Sequence, residues 1–289
     1  MRFTLFKSAF KSVIVCSLLA ISSETSISAR QEWNLIFDIP NTLLEPDKVA
    51  YLKDVMGFSS LAYTLWDWKN PTALQEVVYK VLDLQGTQHG KYITRDPEGR
   101  ALPQMFCDFL SSKYTADRTL NKALRHIEQL KEEKYFASTR EEELVNTLFH
   151  VLFNPEKLAS HIRAIAGASS FVQACVNSCG YEHMYMIGNW DKASFSILLN
   201  APQTKDLLNL FPRNNIYISG MTKKLLPNPA AIEDRLKFRK LEKTTCIFIS
   251  GQPEHIEAAQ AAGISAVMIK KDGGFSQARA DLRTLGVNL

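Results

Sequence analysis

Residues 246–269, "CIFISGQPEHIEAAQAAGISAVMI", read as strand, turn, helix, turn, strand. The apolar runs "CIFI" and "AVMI" have the length of buried strands and are bounded by turn residues. Between them Pro253 opens an alanine-rich helical stretch and Gly263 closes it. A strand, a crossover helix and a second short apolar strand predict a parallel sheet covered on both faces.

The same alternation runs upstream. A helix over Ser169–Cys179 stops at Gly180, a strand follows at Met184–Ile187, a helix at Ser194–Leu199, and a further strand at 216–218, "IYI". Far ahead of these, Trp33–Phe37 is β-rich and ends at Asp38, before the turn residues Pro40 and Asn41. Between about 47 and 165 the period is helical instead. Phe58, Leu61, Leu65 and Trp68 recur at helical spacing, and Asn70 with Pro71 starts a helix over Thr72–Asp83. Leu120, Leu124, Ile127 and Leu130 form a stripe, and Ser138 or Thr139 with a glutamate three residues on caps a helix carrying Leu144, Leu148 and Leu152. Residues 86–103 read as a loop, and Tyr63, Trp66 and Trp68 as core. The predicted fold is α/β, a Rossmann-like parallel-sheet core with an inserted all-helical cap domain. Its parts are 30–46 and 166–289 for the core and 47–165 for the cap.

A chain of 289 residues with 46% hydrophobic and 22% charged content is globular. Its formal charge of +4 is spread along the sequence with no basic tract, which gives nucleic-acid binding no support. The first 29 residues differ in kind: Arg2, Lys7 and Lys11, then the apolar stretch "VIVCSLLAI", then "SSETSISA". That layout is a secretory signal peptide, with an uncleaved anchor or an amphipathic leader as the competing reading. Export to a periplasmic or extracellular space follows, with membrane contact only through an uncleaved leader. Cys107, Cys175, Cys179 and Cys246 read as buried thiols, and no cysteine–histidine metal pattern appears.

In such sheets ligands bind beyond the carboxyl ends of the strands, where Asp38, Gly188, Ser219 and Ser250 fall. The strand ending in Asp38 with Thr42 and Leu43 after it, together with "YMIGNWD" at 185–191, "YISGMTKKLLPNPAAI" at 217–232 and the segment 246–269, resembles the haloacid dehalogenase-like (HAD) hydrolase superfamily, in order, over nearly the whole chain from Trp33 to Val287. The resemblance implies an aspartate nucleophile at Asp38. In the superfamily's phosphatases it also implies a second aspartate two residues on as acid and base, a hydroxyl at the second strand end, a lysine in the third region, and acids at the fourth strand end that hold Mg²⁺.

This sequence departs at each of those places: Pro40 stands for the acid and base, Asn41 for a glycine, Gly188 for the hydroxyl, Leu226 for the lysine, and Ser250 with Gly251 for the acids. Asn189 keeps a common neighbour, and Lys223 and Lys224 are the possible substitutes for the lysine, so Asn189, Lys223 and Lys224 are the candidate substrate-binding residues. The metal-free dehalogenases of the superfamily open their last motif on a serine, as Ser250 does; Gln252 falls near their asparagine, and His255 where they carry an aspartate. Asp38 is thus the candidate nucleophile, with Ser250 and His255 beside it, His255 as a base.

Bland readings stand next to these. Asp38 can close its strand by accepting from turn amides, His255 in a first helical turn is expected to be exposed, Lys223 and Lys224 form a solvated turn, and Ser219 and Ser250 cap local backbone. Taken together the departures imply an exported, HAD-like protein, catalytically impaired (a pseudoenzyme), that binds a small-molecule ligand or a protein partner in a pocket near Asp38. No cofactor is expected. The alternative is a divergent hydrolase using Asp38, either metal-independent and dehalogenase-like or a weak phosphatase with Mg²⁺.

Overall fold

The fold is taken from a computed structural model of the chain, which describes residues 32–47, 50, 71–83, 86, 90–96, 99–270 and 274–289. The leader, the stripe at Phe58–Trp68, the aromatics Tyr63, Trp66 and Trp68, and the Asn70 cap lie outside the described residues.

β1 (Asn34–Phe37) is the centre of the molecule, and all four of its residues are buried. Parallel neighbours flank it on both sides: β4 (Met184–Gly188), with Leu35 opposite Met184, and β6 (Cys246–Ser250), with Phe37 opposite Ile249. β5 (Ile216–Ile218) and β7 (Ser265–Met268) complete a five-stranded parallel sheet in the order β5-β4-β1-β6-β7. A strand with no exposed edge and no exposed face is apolar along most of its length, which is why these segments read as near-continuous runs, broken at their ends by hydrogen-bonded polar residues such as Asn34.

Alternate residues serve two layers. Leu35 and Phe37 face α6 (Ala168–Cys179) and α12 (Gly274–Thr284), packing with Phe171, Val172 and Leu282. Ile36 and Phe248 face α10 (Ala230–Arg239) and α11 (Pro253–Ala261) through Ile232, Leu236 and Ala259. Phe37 meets Phe171 and Phe211 edge-on at centroid distances of 6.0 and 5.5 Å, contacts of about 0.5–1.5 kcal/mol each beyond burial.

The inserted segment has a core of its own. α1 (Pro71–Leu82), α2 (Gln104–Leu110), α3 (Ala116–Glu132) and α4 (Thr139–Leu152) bury Val81, Met105, Ala123, Ile127, Val145, Phe149 and Phe153 together, while α5 (Pro155–Ser160) buries its Ala159 in the core of the sheet instead. Ser138 is the cap of α4: its hydroxyl accepts from Glu141 N, while the Glu141 carboxylate accepts from Ala137 N. The buried stripes sit about one position from the predicted ones. Thr119, Ala123, Ile127 and Leu130 are buried on α3, with Leu120 and Leu124 at the rim, because the packed face is wider than its leucines.

The insertion is not wholly helical. β2 (Leu44–Pro46) and β3 (Ile162–Ala164) pair antiparallel where the chain leaves and re-enters the core, so a two-stranded ribbon roots the cap. Cys107, Cys175 and Cys246 are buried free thiols, and burial pushes Cys107 and Cys175 up to about 12. No described helix is long and apolar enough to cross a membrane.

Candidate functional site

Asp38 follows the last residue of β1, and its amide is bound to Ile249 O at 2.9 Å, which extends the sheet one residue past the strand. The backbone then turns sharply: the amides of Leu43 and Leu44 both return to Ile39 O. Asn41 adopts φ 57°, a left-handed conformation that asparagine tolerates better than most side chains, which accounts for asparagine where the resemblance implies glycine.

The Asp38 side chain is fully buried. Oδ1 accepts from Ile39 N at 2.7 Å. Oδ2 accepts from Ser250 Oγ at 2.7 Å, from His255 Nδ1 at 2.7 Å and from Gln252 Nε2 at 3.3 Å. Because the acceptor is a carboxylate oxygen, His255 carries its proton on Nδ1. Gln252 also donates to Pro40 O, and its own amide donates to Ser250 Oγ. The carboxylate is thus held by one turn amide and three side chains of the β6–α11 junction.

His255 is 3% exposed, which corrects the expectation of a solvated residue. The first turn of α11 faces Asp38 rather than water, and a histidine there is the group that reaches it. Ser250 does cap local backbone, through Gln252 N, but its proton goes to Asp38.

Gly251 N donates to Thr42 Oγ1 at 2.9 Å, and a Cβ on Gly251 would stand 2.1 Å from Asn41 O. Only glycine lets the two turns approach this closely. At the second strand end a Cβ on Gly188 would stand 2.9 Å from Ile39 Cγ1, and Ile39 is fully buried. An apolar side chain fills the space beside the position where the resemblance implies a hydroxyl.

The third region is occupied in its own way. Asn189 brackets Leu226, donating to its carbonyl and accepting from its amide, both at 2.8 Å, and Thr94 of the cap donates to the same carbonyl at 2.7 Å. Ser219 Oγ donates to Leu110 O at the end of α2 and accepts from Trp190 N. It ties the cap to the sheet rather than capping local backbone. Lys223 ends the short helix α9 (Ser219–Thr222) and gives its ammonium protons to Ser111 O, Ser112 O and Gly220 O at 2.9–3.1 Å. Lysine at a helix C-terminus complements the free carbonyls there. Lys224 pairs with Asp234 and draws that carboxyl below its ordinary range. Asn189, Lys223 and Lys224 are therefore engaged with Leu226, the end of α2 and Asp234, and the structure does not bring them onto the Asp38 carboxylate. Lys223 is exposed, as expected of a solvated turn, but its head group is also tethered to three carbonyls.

Replacing Lys223 by methionine keeps the stem and removes three charge-assisted bonds. It is expected to cost about 1–2 kcal/mol in equilibrium urea unfolding, and an unchanged midpoint would show that the cap is not held this way.

A magnesium ion does not fit these residues. Among the described residues Asp38 is the lone carboxylate at the site, its Oδ2 is taken by three donors, and positions 250 and 251 offer a serine bound to Asp38 and a glycine with no room for a side chain. Among the described residues no three His, Cys, Asp or Glu side chains cluster as a metal site. A cleft of about 400 Å³ opens at the seam of cap and core, lined by Thr115, Asp117, His150, Asn154, Glu156 and Ala193 among others. None of the Asp38 cluster lines it.

A parallel sheet with a cap inserted after the first strand, and an aspartate at that strand's carboxyl end, defines a class of capped α/β hydrolase folds. Within it, the chain has the fold of the haloacid dehalogenase-like hydrolases. It is similar to a haloacid dehalogenase-like family hydrolase from Xanthomonas campestris, with TM-score 0.54 and 16% identity over 89% of this chain and 93% of that one. A HAD-like family hydrolase from Porphyromonas gingivalis matches with TM-score 0.50 and 13% identity over 89% of this chain and 100% of that one. A HAD family enzyme from Bacteroides thetaiotaomicron, in complex with magnesium and inorganic phosphate, gives TM-score 0.47 at 12% identity over 82% and 94% of the two chains. No family model and no curated protein matches the sequence.

Proposed function

We propose that this chain is an exported protein that keeps the haloacid dehalogenase-like fold without its hydrolytic chemistry and acts as a binding or interaction protein. One observation carries the reading: the Asp38 carboxylate is fully buried and both its oxygens are bonded to protein donors. A nucleophile must present a lone pair to an incoming phosphorus or carbon, and Asp38 presents its lone pairs to Ile39, Ser250, Gln252 and His255. The departures at Pro40, Gly188, Leu226 and Gly251 act in the same direction, since each position either lacks the chemical group or is filled by its neighbours. The seam cleft is one opening of ligand size among the described residues. Export rests on the leader.

The alternative, a divergent hydrolase using Asp38, has one observation on its side. His255 is buried against Asp38, where a base would stand to direct water at an ester on that carboxylate. In this geometry Nδ1 is engaged by the carboxylate, which leaves Nε2 as the nitrogen for a proton from water and makes Asp38 the partner that orients the ring.

The test is a hydrolysis screen of the purified mature protein on phosphomonoesters and 2-haloacids, with Mg²⁺ and with chelator, beside Asp38→Ala. No turnover above the variant's background is expected; turnover that disappears with Asp38 would overturn the proposal. Mass spectrometry of the amino terminus from the exported fraction checks the leader, for which a start near Ala29 or Arg30 is expected and an intact Met1 in the cytoplasm would contradict export.

A further inference from the structure

On the α10 side of the sheet, away from the Asp38 cluster, two donors are buried with nothing to accept from them. Tyr217 is the middle residue of the edge strand β5 and is 8% exposed, and its hydroxyl has no hydrogen-bond partner among the described residues. Arg235 of α10 lies over the same ring, with Cζ 5.3 Å from the Tyr217 centroid and 5.6 Å from that of Phe238. Its Nε–H is likewise buried and unpartnered. Native structures pair such groups, and the exceptions call for an explanation such as a bound ion.

The carboxylates around the cluster are paired directly with other cations, and Arg235 feels Asp234 only through its field. Asp234 holds Lys224, and Glu233 stands 3.8 Å from Lys243. No ion pair joins Arg235 to a carboxylate among the described residues. Arg239, one turn on, donates to Asn215 Oδ1 at 2.7 Å and stands over Tyr185, so it is a second cation already oriented by its neighbours. Burial pushes the Tyr217 phenol up, which keeps it protonated and a donor at neutral pH. Phe238 is 67% exposed, its ring set edge-on to Tyr217 at 6.5 Å.

We propose that Tyr217 and Arg235, flanked by the exposed ring of Phe238, form a subsite for a carboxylate or phosphate group. An anion with two or more oxygens supplies one acceptor to the phenol and one to the guanidinium, whose planar donors match that geometry. Phe238 offers an apolar face to the body that carries the anion. The subsite stands whether or not Asp38 is inert.

The test uses the full mature chain and thermal unfolding in inorganic phosphate and, separately, in acetate, each against chloride at matched ionic strength. At least one anion is expected to raise Tm, in a saturable way; a response to phosphate alone or to acetate alone supports the site and assigns its class. Tyr217→Phe removes a hydroxyl that has no partner, so its Tm in chloride is expected not to fall, while its apparent affinity for the anion falls about tenfold or more. Arg235→Met is expected to abolish the response. No shift with either anion, or a shift that both variants retain, would overturn the proposal.

Discussion

Asp38→Ala is expected to lose about 3–5 kcal/mol of folding stability, because several buried donors lose their acceptor at once. The reason is local. Alanine leaves Ile39 N, Ser250 Oγ and His255 Nδ1 without their acceptor in a volume where the carboxylate was fully buried, and each stranded buried donor costs about 1–3 kcal/mol. Equilibrium urea unfolding followed by circular dichroism measures the loss. A residue held ready for a substrate behaves in the opposite way, because its removal relieves a strained or unsatisfied site and leaves stability level or raised. A loss below about 1 kcal/mol would therefore count against a structural role for Asp38.

Gly251→Ala is expected to be the second large effect, at about 3 kcal/mol or more, or to yield no soluble protein. The Cβ would stand 2.1 Å from Asn41 O and 3.1 Å from Asn41 C, both backbone atoms of the turn that orients Asp38, so no side-chain rotation can relieve the overlap. Gly251→Asp is expected to fail in the same way, so a metal-binding acid cannot be restored at this position by substitution alone. Soluble yield and thermal unfolding decide it; an alanine variant as stable as the parent would mean that the two turns can separate, and with that the closure of the strand ends would be in doubt.

The architecture was legible because buried parallel strands announce themselves: "LIF", "MYMI", "IYI" and "CIFI" are apolar at consecutive positions, and glycines or polar turns bound them. The cap's helices were legible from their period, although the leucines mark the rim of the packed face as much as its centre, as Leu120 and Leu124 do. The ribbon of Leu44–Pro46 and Ile162–Ala164 left no signal, since three-residue strands carrying Glu45 and Arg163 have neither length nor alternation. Asp38 could be placed at a strand end, but its state could not. Three of the groups that saturate it come from residues 250–255, more than 200 positions away, and only the β1–β6 register brings them into reach. The tether of Lys223 left no signal for the same reason, because two of the three carbonyls it binds belong to a helix end more than 100 residues earlier. Tyr217 read only as a residue of its strand, and Arg235 carried no motif. A hydroxyl without a partner is a property of packing, and composition does not record it.

The Asp38 carboxylate is spent on its own protein, with Ile39 N, Ser250 Oγ and His255 Nδ1 all at 2.7 Å. A double-mutant cycle in urea unfolding, with Asp38→Ala, His255→Ala and the double variant, tests it most directly. Residues sharing a buried hydrogen bond are expected to show a coupling of about 1–3 kcal/mol, with the double variant losing less than the two single losses added together. Strict additivity, with a coupling below about 0.5 kcal/mol, would mean that the two side chains do not depend on each other, and would return Asp38 to the candidates for a free nucleophile.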